Sequence, residues 1–151
     1  SKKLKSPIIV ATDAGGAKSA ARMANDLRCD LAIIDKRRVD NSESPNGSTI
    51  IGEVTGRDCI IMDDEILTGG TVELAVKLIL KDKPNSIRVA CVHPMFNDKG
   101  FNIIDGLDID ELIISDTVPI DVNSFSKNKP TILSTSDLIA SQFYHVQYFY
   151  F

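Results

Sequence analysis

The apolar residues of this chain fall into short uniform runs, separated by segments in which they recur at helical spacing. Pro7-Ile8-Ile9-Val10-Ala11, Leu31 to Ile34, Cys59-Ile60-Ile61-Met62, Ile87 to His93, Leu112-Ile113-Ile114 and Thr131-Ile132-Leu133 each read as a strand, since short β-branched runs bounded by turn residues suit a buried sheet. Ile50 to Val54 adds another, ahead of a turn at Thr55-Gly56-Arg57-Asp58. Ala17 to Leu27 places Ala20, Ala21, Met23, Ala24 and Leu27 at helical spacing, and Thr71 to Lys81 does the same with Val72, Ala75, Val76, Ile79 and Leu80. Met95 to Ile104 is ambiguous, with Phe101, Ile103 and Ile104 suggesting a short helix and Asp98-Lys99 an exposed turn. Uniformly apolar strands alternating with helices predict a three-layer α/β fold, a mainly parallel sheet covered by helices on both faces.

Two stretches break the pattern. Val39 to Ser48 is the one long polar stretch, and a loop of that length inside a compact domain is usually disordered or a functional lid. Phe143 to Phe151 holds six of the chain's nine aromatic residues, with His145 among them. Exposed, such a run is an aggregation hazard, so it is expected to dock, either on its own sheet as a terminal strand or on another subunit.

Composition narrows the class. The 151 residues suit a single domain, 1–151, with an ordinary apolar fraction of 43%. A net charge of −4 argues against a general nucleic-acid or membrane-surface binder, although Lys36-Arg37-Arg38 forms a local basic cluster. Cys29, Cys59 and Cys91 lack metal-ligand spacing and read as buried free thiols in a reducing compartment. Neither a membrane-length apolar stretch nor a signal peptide is visible, so a cytoplasmic protein is expected.

The chemistry-bearing clusters all follow strands: Asp13-Ala14-Gly15-Gly16, Lys36 to Arg38, Asp63 to Thr71, His93 and Asp116-Thr117. In parallel sheets ligands gather beyond the carboxyl ends of the strands, so these clusters are expected to meet. A glycine turn opening a helix offers unpaired N–H groups and the positive end of the helix dipole to a phosphate. Two such turns can hold two phosphate-bearing groups, adjacent carboxylates can bind sugar hydroxyls or Mg2+, and a basic loop can neutralise charge during phosphoryl transfer. His93 is read equally as a site residue and as a plain strand-end histidine, and Asp116-Thr117 as a turn cap.

Five segments in order, TDAGGAK (Thr12 to Lys18), IIDKRR (Ile33 to Arg38), GRDCIIMDDEILTGGT (Gly56 to Thr71), VHP (Val92 to Pro94) and SDTVPI (Ser115 to Ile120), carry a resemblance. Together they resemble the ribose-phosphate pyrophosphokinase (phosphoribosyl-pyrophosphate synthetase) family, in its C-terminal domain of type I phosphoribosyltransferase fold. The resemblance implies that Asp63 and Asp64 bind ribose hydroxyls and that Thr68, Gly69, Gly70 and Thr71 cradle the 5-phosphate. Asp13, Ala14, Gly15 and Gly16 would form the pyrophosphate loop, with Asp13 also a ligand of Mg2+, and Lys36 and Arg38 would be the catalytic cations. The implied partners are ribose 5-phosphate, ATP and phosphoribosyl pyrophosphate, together with a homo-oligomer or an N-terminal half.

Three departures accompany it. Leu67 stands where that family has an aspartate before the cradle threonine, and Glu65, two residues earlier, is expected to point elsewhere. Ala11-Thr12 and Lys18-Ser19 replace Ser-Pro and Lys-Arg around the first loop. The resemblance also covers only the C-terminal half of such enzymes. Two rival readings follow, a phosphoribosyltransferase acting on a base and a non-catalytic regulatory subunit.

Overall fold

The computed structural model describes residues 4–36 and 47–149. In chain order the elements are β1 (Pro7–Ala11), α1 (Ala17–Leu27), β2 (Asp30–Lys36), β3 (Ser48–Ile51), β4 (Asp58–Glu65), α2 (Gly70–Lys81), β5 (Ser86–His93), α3 (Asp98–Gly106), β6 (Glu111–Ser115), a single 3-10 turn at Val122–Ser124, β7 (Thr131–Leu133) and α4 (Ser136–Phe149). One seven-stranded sheet results, in the order β3-β2-β1-β4-β5-β6-β7. Every neighbouring pair is parallel except β2 and β3.

Alternate side chains of a strand face opposite ways, and β1 shows what that builds. Ile8 and Val10 join Ile34, Ile61, Val89 and Ile114 in the larger core, covered by Val72, Ala75, Val76 and Ile79 of α2 and Ile104 of α3. Ile9 and Ala11 turn to the other face and pack on Ala20 and Ala24 of α1. The central strands are thus buried on both sides, which is why they carry no polar alternation. Each isoleucine lost entirely from water here contributes about 1.5–3 kcal/mol.

At the N-terminal ends of the strands, buried Asp58 fastens three segments. Its carboxylate accepts from the N–H groups of Lys5 and Ser6, from Asn85 Nδ2 at 2.5 Å and from Ser86 Oγ at 2.7 Å. Arg57 beside it donates to the carbonyls of Ser6 and Pro7 and pairs with Asp30 at 2.7 Å. At the far end of α3, the Asn128 amide donates to the carbonyls of Ile104, Asp105 and Leu107, closing that helix.

Several expectations change. β4 does not stop at Met62; it continues through Asp63 and Asp64 to Glu65, because its ladder with β5 pairs Asp63 with Cys91 and Glu65 with His93. Asp98 and Lys99 form the first turn of α3, capped by the Asn97 side chain accepting from Gly100 N at 2.8 Å. The C-terminal segment is a helix and not a strand: α4 continues to Phe149, and Leu138, Ile139 and Phe143 on it are exposed, Phe143 by 70%. Docking on the chain's own core is therefore not what these three side chains do. The side chains after Phe143, His145 included, lie outside the described residues. Cys59 and Cys91 are buried, their thiols pushed up to about 11 and about 12 by burial, but Cys29 is half-exposed. Among the described residues no helix is long and apolar enough to cross a membrane.

Candidate functional site

β2, β1 and β4 are sheet neighbours and run the same way, so their carboxyl ends deliver Lys36, the turn after Ala11 and the Asp63 pair to one edge. Of the basic cluster only Lys36 can be placed; Arg37 and Arg38 lie outside the described residues, as does most of the polar stretch after them.

The first turn runs from Thr12 to Gly16. Asp13 Oδ1 accepts from Gly16 N at 3.0 Å, so this carboxylate shapes its own turn while Oδ2 stays free of it. The N–H groups of Ala14 and Gly15 make no hydrogen bond among the described residues. Gly16 begins α1 without a side-chain cap, which leaves the helix N-terminus open to an acceptor from outside.

The second turn, Thr68 to Thr71, opens α2. Gly69 sits at φ 72, in the left-handed region, and a Cβ there would lie 3.1 Å from Ile103 Cγ2. Only glycine meets both conditions without strain. The N–H groups of Thr68, Gly69, Gly70 and Thr71 make no hydrogen bond among the described residues, and space beside Gly70 is open. Four unpaired donors at a helix start suit an anion. A hollow of about 190 Å³ above it is lined by Asp63, Glu65, Leu67, Thr68, Gly69 and Thr71. Glu65, expected to point elsewhere, thus borders the cradle, while Asp64 is outside that lining, as alternation along β4 requires.

Asp63 is half-buried, and Thr12 Oγ1 donates to its Oδ2 at 3.3 Å. Burial pushes its carboxyl above the ordinary aspartate value; the Thr12 hydroxyl opposes this and the charge of exposed Asp64 adds to it. A hydroxyl-rich ligand donating to Asp63 would relieve that cost.

Lys36 joins the two turns. Its Nζ lies 3.9 Å from Asp13 Oδ2 and donates to Thr71 Oγ1 at 3.4 Å. For Mg2+, the donor set fits in one particular way. Among the described residues no group of three or more His, Cys, Asp or Glu side chains can hold a metal alone. Asp13 Oδ2, already facing a cation, suits an ion that takes one or two carboxylates and draws its other oxygens from phosphates and water.

His93 ends β5, and its Nδ1 is 3.0 Å from Thr117 Oγ1, which donates to the Val92 carbonyl at 2.7 Å. Asp116 is a fastener: it accepts from Ser134 Oγ, Thr135 N and Thr135 Oγ1, and these bonds hold its carboxyl down at about 2. Sequence reading missed the braces of the cradle. Asn97 N donates to the Leu67 carbonyl at 3.0 Å, and Gly100 lies so close that a Cβ there would collide with that same carbonyl. The only signal was an Asn three residues before a Gly, an N-cap pattern that says nothing about a neighbour thirty residues upstream.

Known proteins show which family the chain resembles. Residues 1–122 match the phosphoribosyl transferase domain. The ribose-phosphate pyrophosphokinase of Shewanella oneidensis is 40% identical over 142 residues, 92% of this chain and 44% of that protein. That of Burkholderia pseudomallei is 35% identical over 140 residues, 93% of this chain and 44% of its own length. A crystal structure of phosphoribosylpyrophosphate synthetase from Mycobacterium smegmatis superposes with a TM-score of 0.81 at 29% identity, covering 94% of this chain and 45% of that one. The chain spans less than half the length of these relatives. With two open glycine turns at the ends of parallel strands and a match over residues 1–122, the chain belongs to the phosphoribosyl transferase domain family.

Proposed function

We propose that residues 1–151 form a single domain that binds ribose 5-phosphate and corresponds to the C-terminal half of a ribose-phosphate pyrophosphokinase. The complete reaction converts ribose 5-phosphate and ATP to phosphoribosyl pyrophosphate and AMP. The sugar's anomeric oxygen forms a bond to the β-phosphorus of ATP, the bond from that phosphorus to the α-phosphate oxygen breaks, and the anomeric proton is released. One observation carries the reading: Lys36 stands between two glycine turns that each keep N–H groups unpaired among the described residues, 3.9 Å from the carboxylate of one and 3.4 Å from the hydroxyl of the other.

On this reading Thr68 to Thr71 hold the 5-phosphate, Asp63 and Asp64 take the ribose hydroxyls, and Ala14 and Gly15 offer N–H groups to the pyrophosphoryl group. Lys36, with Arg38, stabilises charge building on the transferring group. Mg2+, held by Asp13 together with substrate oxygens, would supply charge neutralisation of the polyphosphate. Leu67 puts an exposed apolar side chain where an acid is expected, so binding is better supplied than proton transfer. A homo-oligomer or a separate N-terminal half would complete the nucleotide site, and a cytoplasmic setting suits such an enzyme.

The test is thermal unfolding with ribose 5-phosphate and Mg2+. The ligand raises the wild-type melting temperature by mass action, and Asp64→Ala abolishes the shift. No wild-type shift would sink the binding claim; AMP formed only after an N-terminal half is added would make this a catalytic half, and none in either case a regulatory subunit. A second reading, transfer of a phosphoribosyl group to a base, is favoured by a groove of about 590 Å³ beyond β5 and β6, walled by Met95, Phe96, Phe101, Val118 and Ile120. Pyrophosphate released from phosphoribosyl pyrophosphate only when a base is present would select it.

A further inference from the structure

The two partners of Lys36 have opposite duties in the reading above, on which this inference rests: Asp13 faces a cation, and Thr71 belongs to an anion cradle. A single ammonium lies against both, 3.9 Å from Asp13 Oδ2 and 3.4 Å from Thr71 Oγ1, with about a third of its side chain exposed. It therefore gives Asp13 the counter-charge a metal ion there would give, and it also supplies the positive charge an anion at the second turn would seek. A divalent ion arriving at Asp13 meets the like charge of Lys36 on the same carboxylate, a repulsion weak only where water screens it fully. An anion arriving at Thr68 to Thr71 attracts the same ammonium and draws it off Asp13.

We infer that Lys36 is an exchange residue: the resident cation of Asp13 in the ligand-free protein, which yields that carboxylate to a divalent ion when an anion at the second turn takes up its charge. Two consequences follow. A divalent ion alone binds weakly because it must displace Lys36, and an anion alone gains from Lys36 only by breaking the pair with Asp13. Together the ligands satisfy all three charges, so cation and anion sites are positively coupled through one side chain, reciprocally. The order of filling is thereby built into the end of β2.

The experiment measures Mn2+, a hard divalent probe with oxygen preference, by electron paramagnetic resonance on the full chain without sugar. Lys36→Met binds Mn2+ about two- to fivefold tighter than wild type, the worth of one partly exposed ion pair, yet binds inorganic phosphate more weakly. Opposite signs for the two ligands are what a purely structural lysine would not produce. Lys36→Arg keeps the charge and does not tighten Mn2+ binding, and Asp13→Asn removes the Mn2+ gain in the Lys36→Met background. Should Lys36→Met melt lower than wild type, Lys36→Gln is measured in its place. Mn2+ binding that is unchanged or weaker without Lys36, independent of Asp13, or absent from every variant overturns the inference. Ribose 5-phosphate failing to bind would instead overturn the sugar-phosphate reading, and the Mn2+ comparison would stand.

Discussion

Asp63 shows a cost carried at a single residue. Half-buried beside Thr12 and next to Asp64, its carboxyl is raised above the ordinary aspartate value, first by burial. A raised acid pKa means the folded state holds its proton more tightly than the unfolded one. Stability from this group is therefore present at acid pH and lost as pH rises past the unfolded value of about 3.9. At pH 7 the charged group works against the fold. Asp63→Asn is thus expected to raise the melting temperature at pH 7 while weakening ribose 5-phosphate binding, and the gain should vanish near pH 3; thermal melts at the two pH values check the sign. A melting temperature lowered at pH 7 would mean that the Thr12 bond outweighs burial. The two adjacent carboxylates were legible in the sequence, but their inequality was not. It arises because β4 continues to Glu65, which sends Asp63 and Asp64 to opposite sides and leaves only one of them against Thr12.

At the scale of elements, the cradle is a joint between α2 and α3. Gly100 of α3 lies against the Leu67 and Thr68 backbone, and Asn97 N holds the Leu67 carbonyl at 3.0 Å. Gly100→Ala drives a methyl group into that carbonyl, which neither backbone can evade without moving. We expect a loss of about 1–3 kcal/mol in urea unfolding, the usual range for overpacking, and a disproportionate loss of ribose 5-phosphate binding because the cradle itself is displaced. Gly106→Ala is the control: nothing lies near its Cβ, so binding should be unchanged. Here the sequence was informative about elements and silent about their joints. Short β-branched runs announced β1, β5, β6 and β7, and helical spacing announced α1 and α2, because those signals are local. β4 was read too short because Asp63-Asp64-Glu65 resembles a turn; the ladder to Cys91 and His93 keeps it in the sheet. α4 was misread because its aromatic residues favour strands, whereas the segment that follows the Ser134 and Thr135 anchors on Asp116 winds into a helix.

For the whole molecule, three carboxylates hold loops to the sheet layers and set its acid tolerance. Asp58 is held well below the usual range, first by Ser86 and also by Asn85 and the N–H groups of Lys5 and Ser6. Burial would raise Asp105, but donors from Ser126, Asn128 and Lys127 outweigh it. Asp116 is held at about 2. Depressed carboxylates stabilise above their unfolded value of about 3.9 and lose that contribution as pH falls through the folded one. Urea midpoints are therefore expected to be flat from neutral pH to about 4 and to fall steadily toward pH 2, and Asp58→Asn should lower the neutral value and flatten the fall. The meeting of Lys36, Asp13 and Thr71 also belongs to this scale. The clusters were visible one by one, but their contact depends on the order β2-β1-β4, which no local pattern encodes.

That order has a consequence for how the chain is made. The central pair, β1 and β4, is closed at its base by Lys5 and Asp58, 53 positions apart. Closing a flexible loop of that size costs about 3.5 kcal/mol in chain entropy before any side chain is buried. β1 therefore has no central partner until β4 has been synthesised, which leaves β1, α1 and β2 half-covered up to that point. The second glycine turn also needs Asn97 and Gly100 against the Leu67 carbonyl, so a growing chain that has not yet reached α3 lacks the braces of that turn.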